Sequence, residues 1–373
     1  MIPTPKRIPV ARAQHLWSIG ALLLGVAVVS RALAGHSAVL DDALTIGLIN
    51  LIMVIGLYVF VGNSGIVSFG HVGFMAVGAY VCGLFTIPKI AQPIIIPNAP
   101  GIFLHTHLST ASAIIAGGIA AAIVALLVSV PLMRLSGIAA SIGTLSLLVI
   151  VNTFFEQWEP GTSGGGNLTQ IPTDISVNAA MIWTLLALLA AFAYERSRFG
   201  LRLRATREDE LAARGVGINA RRERRIAFTL SGMMFGVAGA LYAHALGSIS
   251  AEDFYLPVTF ITLAMLVVGG QLSLAGAVAG TLLLSVVSFV LTQWQNDNAV
   301  MGIAIQIPAG VEDLVIAVVL IAVLLLRPNG ITNGREIPLP TFVRRRLTTD
   351  LVPSTIDAEA SRAADSDKLT APS

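Results

Sequence analysis

Charged residues are scarce in this 373-residue sequence: they make up 12% of it, whereas hydrophobic residues make up 55%. Soluble domains carry about 25% charged residues, so the composition excludes an ordinary soluble protein. The apolar stretches are mostly 17–22 residues long. A helix of that length crosses a hydrocarbon core of about 30 Å. We therefore predict an all-α, polytopic membrane helical bundle.

Cysteine and lysine are also scarce, and this excludes several kinds of site. The single cysteine, Cys82, cannot form an intramolecular disulfide, and its apolar surroundings predict a small buried side chain. None of the three lysines, Lys6, Lys89 and Lys368, follows a glycine, so the phosphate-binding loop GxxxxGK[ST] is missing. Nucleophile-elbow, HExxH and CxxC motifs are missing as well. We predict no catalytic residue, no metal site and no nucleic-acid partner, and any ATP would have to bind another polypeptide.

Ten apolar stretches predict about ten transmembrane helices. The domain organisation that follows is an N-terminal segment at 1–15, a membrane domain at 16–332, and a tail at 333–373. The tail is polar and rich in Pro, Ser, Ala and Asp, which is typical of a disordered segment. The predicted spans are 16–34, 41–61, 66–87, 111–133, 136–155, 178–194, 226–247, 256–271, 274–292 and 309–326.

The basic residues predict the orientation of these spans. With the N-terminus in the cytoplasm, 21 of the 23 Lys and Arg residues lie inside, and only Arg31 and Lys89 lie outside. Both termini are then cytoplasmic. The first span has a second interpretation, because its basic start, apolar run and Ala32-Leu33-Ala34 also fit a cleavable signal peptide. The orientation of the other spans is the same in both cases.

The segment 195–225 holds ten arginines and five acidic residues between two apolar stretches. We predict that it is a cytoplasmic loop with a short helix at 206–217, capped by Thr206 and ended by Gly215 or Gly217. Acidic residues in the first turn suit the helix dipole. A cap, an acidic first turn and a glycine end in so short a segment indicate a docking surface. The alternative is a solvated loop whose charges only set the membrane topology. The candidate contact residues are Arg207, Glu208, Asp209, Glu210, Ala212, Ala213 and Gly217.

The third span, 66–87, is rich in small residues and follows an uncharged turn at 62–65. Close helix packing is one interpretation. A broken helix that lines a solute path is the other, because irregular backbone at membrane depth needs protein or a wet cavity beside it. The ionisable His71 would form an interhelical hydrogen bond, line the path, or carry a proton. The candidate path residues are Ser68, Gly70, His71, Gly73, Phe74 and Tyr80.

Two other glycine patterns are present. The outer loop 158–167 contains three successive glycines and is either a flexible connection or a docking or gating element. The GxxxG pairs Gly232/Gly236 and Gly276/Gly280 predict close helix contacts. The candidate residues of the outer loop are Thr162, Gly164, Gly165 and Asn167.

Five segments carry motifs that point to a known family: 65–80 (GIVSFGHVGFMAVGAY), 198–219, 238–243 (AGALYA), 267–270 and 326–331. Through these motifs the sequence, from about residue 45 to residue 332, resembles the permease subunits of branched-chain amino-acid ABC transporters. It is similar to the longer of the two paired permeases. Two departures leave the subunit type intact but leave the substrate open: no glycine follows Asn167, and Asn63-Ser64 replaces an Ala-Gly-Gln stretch.

The resemblance implies an inner-membrane, multi-pass permease subunit that is not an enzyme and imports branched-chain or related amino acids. It implies a second permease subunit, ATP-binding cassette subunits, a periplasmic solute-binding protein and the lipid bilayer as partners. ATP and Mg would bind the ATPase subunits, and no cofactor would bind this chain. The helix at 206–217 corresponds to the family's coupling helix. The alternatives are an ATP-independent secondary carrier or channel, and the same ABC architecture importing urea or short amides.

Overall fold

The computed structural model describes residues 8–96, 99–106, 108–162, 167–295, 310–327 and 330–334. Residues Leu23–Glu336 form one compact unit, to which the helical bundle below belongs, and the first part of the N-terminal helix, up to Leu22, belongs to a second unit. The predicted tail from 335 onward and the N-terminal residues 1–7 lie outside the described residues.

Helices dominate the described residues, which confirms the prediction of an all-α chain for that part of the sequence. A five-residue π-helical turn, Tyr58–Gly62, extends the second helix, and an isolated antiparallel bridge joins Leu168 and Ile249. The α-helices are α1 (Ile8–Leu33), α2 (Ala38–Leu57), α3 (His71–Thr86), α4 (Gln92–Ile95), α5 (Gly101–His105), α6 (Thr110–Leu132), α7 (Gly137–Gln157), α8 (Val177–Arg196), α9 (Arg198–Glu208), α10 (Glu210–Gly215), α11 (Ala220–Leu246), α12 (Leu256–Gly269), α13 (Leu274–Gln295) and α14 (Val311–Leu326).

Seven helical segments of the described chain are long and apolar enough to cross a membrane. Three shorter apolar helices, Trp17–Leu33, His71–Thr86 and Leu314–Val323, lie on the three remaining predicted spans. The chain is therefore a polytopic helical bundle, and the count of ten spans stays a prediction. The seven segments are Ala38–Gly62, Thr110–Leu132, Gly137–Gln157, Val177–Arg196, Ala220–Leu246, Ala251–Gly269 and Leu274–Gln295.

The third predicted span begins later than expected, because α3 starts at His71 and the preceding residues are not helical. Gly65 has a φ of +71°, which glycine adopts without steric cost. Neighbouring backbone groups are bonded to α7: the Phe69 amide donates to Thr144 Oγ1 at 3.1 Å, and Ser141 Oγ donates to the Val67 carbonyl at 2.7 Å. These bonds satisfy backbone groups that a continuous helix would have paired internally.

The centre of the bundle is α11, which packs against α2, α3 and α6. The predicted close contacts are present. A Cβ atom on Gly232 would lie 2.6 Å from the Cβ of Ala125, and Gly236 approaches α6 and Gly78 so closely that no side chain fits. The pair Gly276/Gly280 has the same role between α12 and α13. Since lipid offers no hydrophobic reward for helix pairing, such close approach of backbones supplies the attraction.

The connections between helices collect at two ends of the bundle. We call one the arginine-rich end: it contains residues 62–70, 133–136 and 195–225. Arg207 there donates to the Gly62 carbonyl at 2.6 Å, and Arg225 donates to the Val130 carbonyl at 3.4 Å. At the opposite end His244 Nδ1 lies 2.7 Å from the Pro172 carbonyl. Spans that alternate in direction require the connections to be divided between two ends in this way. Which end faces the cytoplasm stays a prediction.

Candidate functional site

The arginine-rich end carries a two-helix projection, α9 and α10, which we call the coupling segment (residues 198–217). Ser197 directly precedes this segment and caps α9, because its Oγ accepts a hydrogen bond from the Gly200 amide at 3.3 Å. A side chain on Gly200 would collide with the carbonyls of Tyr194 and Glu195. The sequence Arg198-Phe199-Gly200 therefore allows the chain to turn sharply from α8 into α9.

Two arginines attach α9 to the end of α2. Arg204 Nε donates to Asn63 Oδ1 at 2.7 Å, and its guanidinium also contacts Glu195 at 2.7 Å and the Tyr58 hydroxyl at 3.2 Å. Burial alone would lower the pKa of Arg204, but the Tyr58 and Glu195 groups raise it above its ordinary value. The guanidinium of Arg204 therefore stays charged and fixed between α9 and the end of α2. Arg207 adds the bond to Gly62 described above.

The prediction of a single helix at 206–217 is wrong, because the helix is interrupted at Asp209. That residue has φ −152° and ψ 107°, and its Oδ1 accepts hydrogen bonds from the Leu211 and Ala212 amides, both at 2.9 Å. Asp209, and not Thr206, is the N-cap of α10. Thr206 lies inside α9, where its hydroxyl donates to the Leu203 carbonyl at 2.7 Å. Both residues suit a cap, and only the tertiary contacts of α9 decide between them.

The end of α10 follows the prediction. Gly217 has a φ of +83°, its amide bonds the Arg214 carbonyl at 3.0 Å, and the Ile218 amide bonds the Ala213 carbonyl at 3.0 Å. This pair of bonds is a Schellman motif, in which glycine supplies the left-handed residue. Gly217 therefore ends the helix, and Gly215 is its last residue.

Glu210 fixes α10 to the bundle. Its carboxylate contacts Arg214 of the same helix at 2.5 Å and Arg224 of α11 at 2.8 Å. The Arg224 side chain is only 7% exposed. Partial burial acts to raise the pKa of Glu210, but the hydrogen bonds and charges of Arg224 and Arg214 outweigh it and hold that pKa below its usual range. Nearby, the buried Glu223 of α11 lies 3.7 Å from Arg202 of α9.

The outer face of α10 is apolar and exposed. Leu211 and Val216 are each 78% exposed, and Ala212 is exposed between them, whereas Ala213 is buried. We call Leu211, Ala212 and Val216 the apolar tip. The sequence reasoning did not select Leu211 or Val216. The available signal was two large apolar residues in a segment that is otherwise charged or small.

The six predicted path residues lie together in and just before α3, but all of them are buried within the chain. His71 is 1% exposed, its Nδ1 lies 2.7 Å from Ser68 Oγ, and its ring lies between 4.9 and 5.9 Å from four phenylalanine rings. Tyr80 stacks on Phe155 with ring centroids 4.1 Å apart. Gly70 and Gly73 face Thr144 and Val151 of α7. In this structure these residues form core contacts, as the packing interpretation expected, and their place on a path stays a prediction.

The outer loop is only partly described, because Gly164 and Gly165 lie outside the described residues. Thr162 is buried, and its hydroxyl donates to the Trp158 carbonyl at 2.9 Å. Asn167 is exposed and directly precedes Leu168, which pairs with Ile249 before α12. Asn167 is therefore next to a link between the outer loop and the segment after α11.

Similarity to known proteins shows the family to which this chain belongs. Residues 39–324 match the family described as branched-chain amino acid transport system / permease component. The chain belongs to this family. The resemblance found in the sequence is thereby confirmed, and the chain is a transport permease component and not an enzyme. It is a multi-pass protein of the inner (plasma) membrane, and its family implies that it works with other components of an ABC transporter.

Relatives at the level of individual proteins are more distant. The high-affinity branched-chain amino acid transport system permease protein LivM of Escherichia coli K12 is 29% identical over 310 residues, which cover 73% of this chain and 67% of LivM. LivM of Salmonella typhimurium is 28% identical over 279 residues, covering 66% and 62%. The autoinducer 2 import system permease protein LsrC of Klebsiella pneumoniae is 29% identical over 203 residues, covering 52% and 56%. The chain thus spans about two thirds or less of these relatives, and no solved structure matches it.

Proposed function

We propose that this chain is the membrane-spanning subunit of a binding-protein-dependent ABC importer for branched-chain or related amino acids. The observation that carries the proposal is the apolar tip of α10, held out from the arginine-rich end by the Glu210 contacts. A short exposed helix on a polytopic bundle of this family is suited to fill a groove on an ATP-binding subunit. The chain itself has no phosphate-binding loop.

The proposed assembly contains this chain, a second permease subunit, two ATP-binding cassette subunits and a periplasmic solute-binding protein. ATP and Mg bind the cassette subunits. The arginine-rich end faces the cytoplasm, in agreement with the distribution of basic residues along the sequence. Residues 158–168 are then on the periplasmic side, where the solute-binding protein would dock.

The coupling segment has the contacts needed to transmit movement. Arg204 and Arg207 connect α9 to the end of α2, and Glu210 connects α10 to α11. Both α2 and α11 are central helices of the bundle. A shift of the apolar tip between two ATPase states would therefore reach the helices that hold the core. Coupling requires that the tip contact these two states with different free energies.

The substrate is the least specific part of the proposal. LivM belongs by its name to branched-chain amino acid transport, whereas LsrC belongs to autoinducer 2 import. The first match covers more of this chain, 73% against 52%, which favours amino acids.

The test is uptake by the complete transporter in cells that lack their own branched-chain amino-acid uptake systems. We expect ATP-dependent uptake of radiolabelled L-leucine that stops when the Walker A lysine of the cassette subunits is replaced. Urea and acetamide are measured in parallel. Leucine uptake that persists after this replacement would support an ATP-independent carrier and overturn the proposal. Uptake of urea or acetamide without leucine would keep the ABC architecture and overturn the substrate.

A further inference from the structure

A cavity of about 290 Å³ opens between α2 and α13, away from the buried residues of α3. One face of each helix forms its walls: residues three or four apart from Val39 to Asn50 on α2, and from Ser285 to Gln293 on α13. Such spacing places side chains on one side of a helix. The cavity is thus a continuous groove between two helices and not a local gap.

The groove reaches the middle of the membrane-spanning segment Ala38–Gly62. From Val39 to Asn50 the helix rises about 16 Å, roughly half the thickness of a hydrocarbon core. Asn50 lies near the centre of that segment and is half-buried. An amide at this depth is costly in lipid, so its position on a cavity wall indicates contact with a polar partner.

The opposite wall carries a polar group without a hydrogen-bond partner among the described residues. The Ser285 side chain is half-buried on this wall, and its hydroxyl oxygen, which is itself buried, forms no hydrogen bond within the described chain. Serine and threonine in membrane helices usually bond to the carbonyl three or four residues earlier, as Thr281 does to Ala277 at 2.8 Å. Gly47 leaves space in front of Ser285, since a Cβ there would still lie 3.8 Å from Ser285 Oγ.

We propose that this groove is a solute-contacting site of the translocation path, completed by another subunit of the transporter. The inference rests on the proposed import function and assigns that path to α2 and α13, not to α3. Asn50 and Ser285 supply hydrogen bonds that replace water around the solute. Ligand sites span about 300–1,000 Å³, so a groove of about 290 Å³ is at the small end of that range and suits a solute no larger than an amino acid.

The lining also indicates the chemical class of the solute. Among the described lining residues, Asp42 is the one charged side chain, and it is exposed near the outer end of the groove. A carboxylate without a basic neighbour in this described lining favours an ammonium or amide N–H group over an anion. Ile46 and Phe289 provide apolar wall next to the polar groups. This side of the path therefore receives the amino end and the aliphatic body of a small amphipathic solute.

The experiment uses the complete transporter and a cationic, membrane-impermeant methanethiosulfonate reagent applied from outside. The sole native cysteine of this chain, Cys82, is buried, so the unsubstituted transporter reports the background. We expect Ser285→Cys to be labelled and L-leucine to slow the labelling. The keto acid 4-methyl-2-oxopentanoate, which lacks the ammonium group, should not slow it. Ser146→Cys on α7, outside the groove, is the matched control.

Uptake kinetics give a second readout. We expect Asn50→Leu to raise the KM for leucine by about tenfold through the lost hydrogen bond, and Gly47→Phe to abolish uptake by filling the groove. Gly25→Phe is the control, because Gly25 of α1 has open space around it.

Normal uptake in Asn50→Leu and Gly47→Phe, with Ser285→Cys unlabelled, overturns the site and leaves the import function standing. If the native transporter takes up no leucine, the proposed substrate is wrong. In that case, labelling of Ser285→Cys supports the groove as a water-accessible path, and no labelling overturns it.

Discussion

Glu210 and Arg224 are fourteen residues apart in the chain, yet Glu210 Oε2 accepts a hydrogen bond from Arg224 Nη2 at 2.8 Å. The arginine side chain is 7% exposed, so the carboxylate is a principal partner of a nearly buried charge. This contact gives Glu210 a role that its sequence position alone does not suggest. It holds the base of α10 on α11 and leaves the apolar tip free.

Glu210→Gln should loosen α10 and lower leucine uptake several-fold, while the subunit still reaches the membrane. Removal of one partner from a fully buried ion pair costs about 3–5 kcal/mol, and the cost here is smaller because Glu210 is 27% exposed. The measurement is uptake together with protease sensitivity of the coupling segment. Glu252→Gln, a change at an exposed carboxylate outside the coupling segment, is the control. Equal effects of the two changes would contradict the role of the Glu210 contact.

The same contact predicts a pH dependence. Because the pKa of Glu210 is lowered in the folded chain, its ion pairs contribute stability at pH values above the ordinary glutamate pKa of about 4.3. That contribution is lost as the pH falls through the lowered pKa. Protease sensitivity of residues 198–217 should rise in this acidic range in the native chain and change less in Glu210→Gln. An unchanged profile in the variant would remove Glu210 as the cause.

Leu211→Asp should weaken docking of the cassette subunits, and so lower uptake, without unfolding the subunit. The side chain is 78% exposed, so its replacement removes no core contact, but it places a charge on the apolar tip. We expect less cassette subunit to co-purify with the membrane subunit, and uptake to fall in parallel. Leu211→Met keeps an apolar surface and should retain both. If Leu211→Asp binds the cassette subunits normally, the apolar tip is not their contact.

The two glycines at the end of α10 should differ in their tolerance of alanine. Gly217→Ala forces a Cβ into a left-handed residue with φ +83°, at a cost of about 1–2 kcal/mol. Gly215 is helical and has open space around it, so Gly215→Ala should be neutral or slightly stabilising. Amide hydrogen exchange of residues 210–218 measures the difference. Faster exchange in Gly215→Ala than in Gly217→Ala would contradict the Schellman end.

Ser68→Ala tests whether His71 has a structural role. The change leaves the buried Nδ1 atom of His71 without its 2.7 Å partner, which should destabilise the subunit by about 1–3 kcal/mol. The measurement is thermal unfolding of the purified subunit in detergent. Ser146→Ala, at an exposed position on α7, should have little effect. Unchanged stability with reduced uptake in Ser68→Ala would instead favour a place on the solute path.

Much of the fold could be predicted because the signals are local and large. Apolar stretches gave the helices, and the GxxxG pairs gave close contacts at Gly232 and Gly236. The end of α10 could also be predicted, because a helix that ends in a left-handed residue favours glycine there, as at Gly217. The helix break at Asp209 could not be predicted, because threonine and aspartate are both common N-cap residues and the sequence offers both, at 206 and 209. The choice depends on Arg204 and Arg207, which hold α9 against α2 through contacts more than 140 residues apart in the chain.

The sequence by itself determined that this is an apolar helical chain with an arginine-rich loop, few charges and no phosphate-binding motif. These properties follow from composition and short-range spacing, which need no knowledge of which helices meet. Only the tertiary structure decided that Glu210 holds Arg224, that Leu211 and Val216 are exposed, and that His71 is enclosed by phenylalanine rings. It also decided that α2 and α13 enclose a groove. Each of these depends on distant segments meeting in space, because the burial of a side chain is set by its neighbours and not by its position in the sequence.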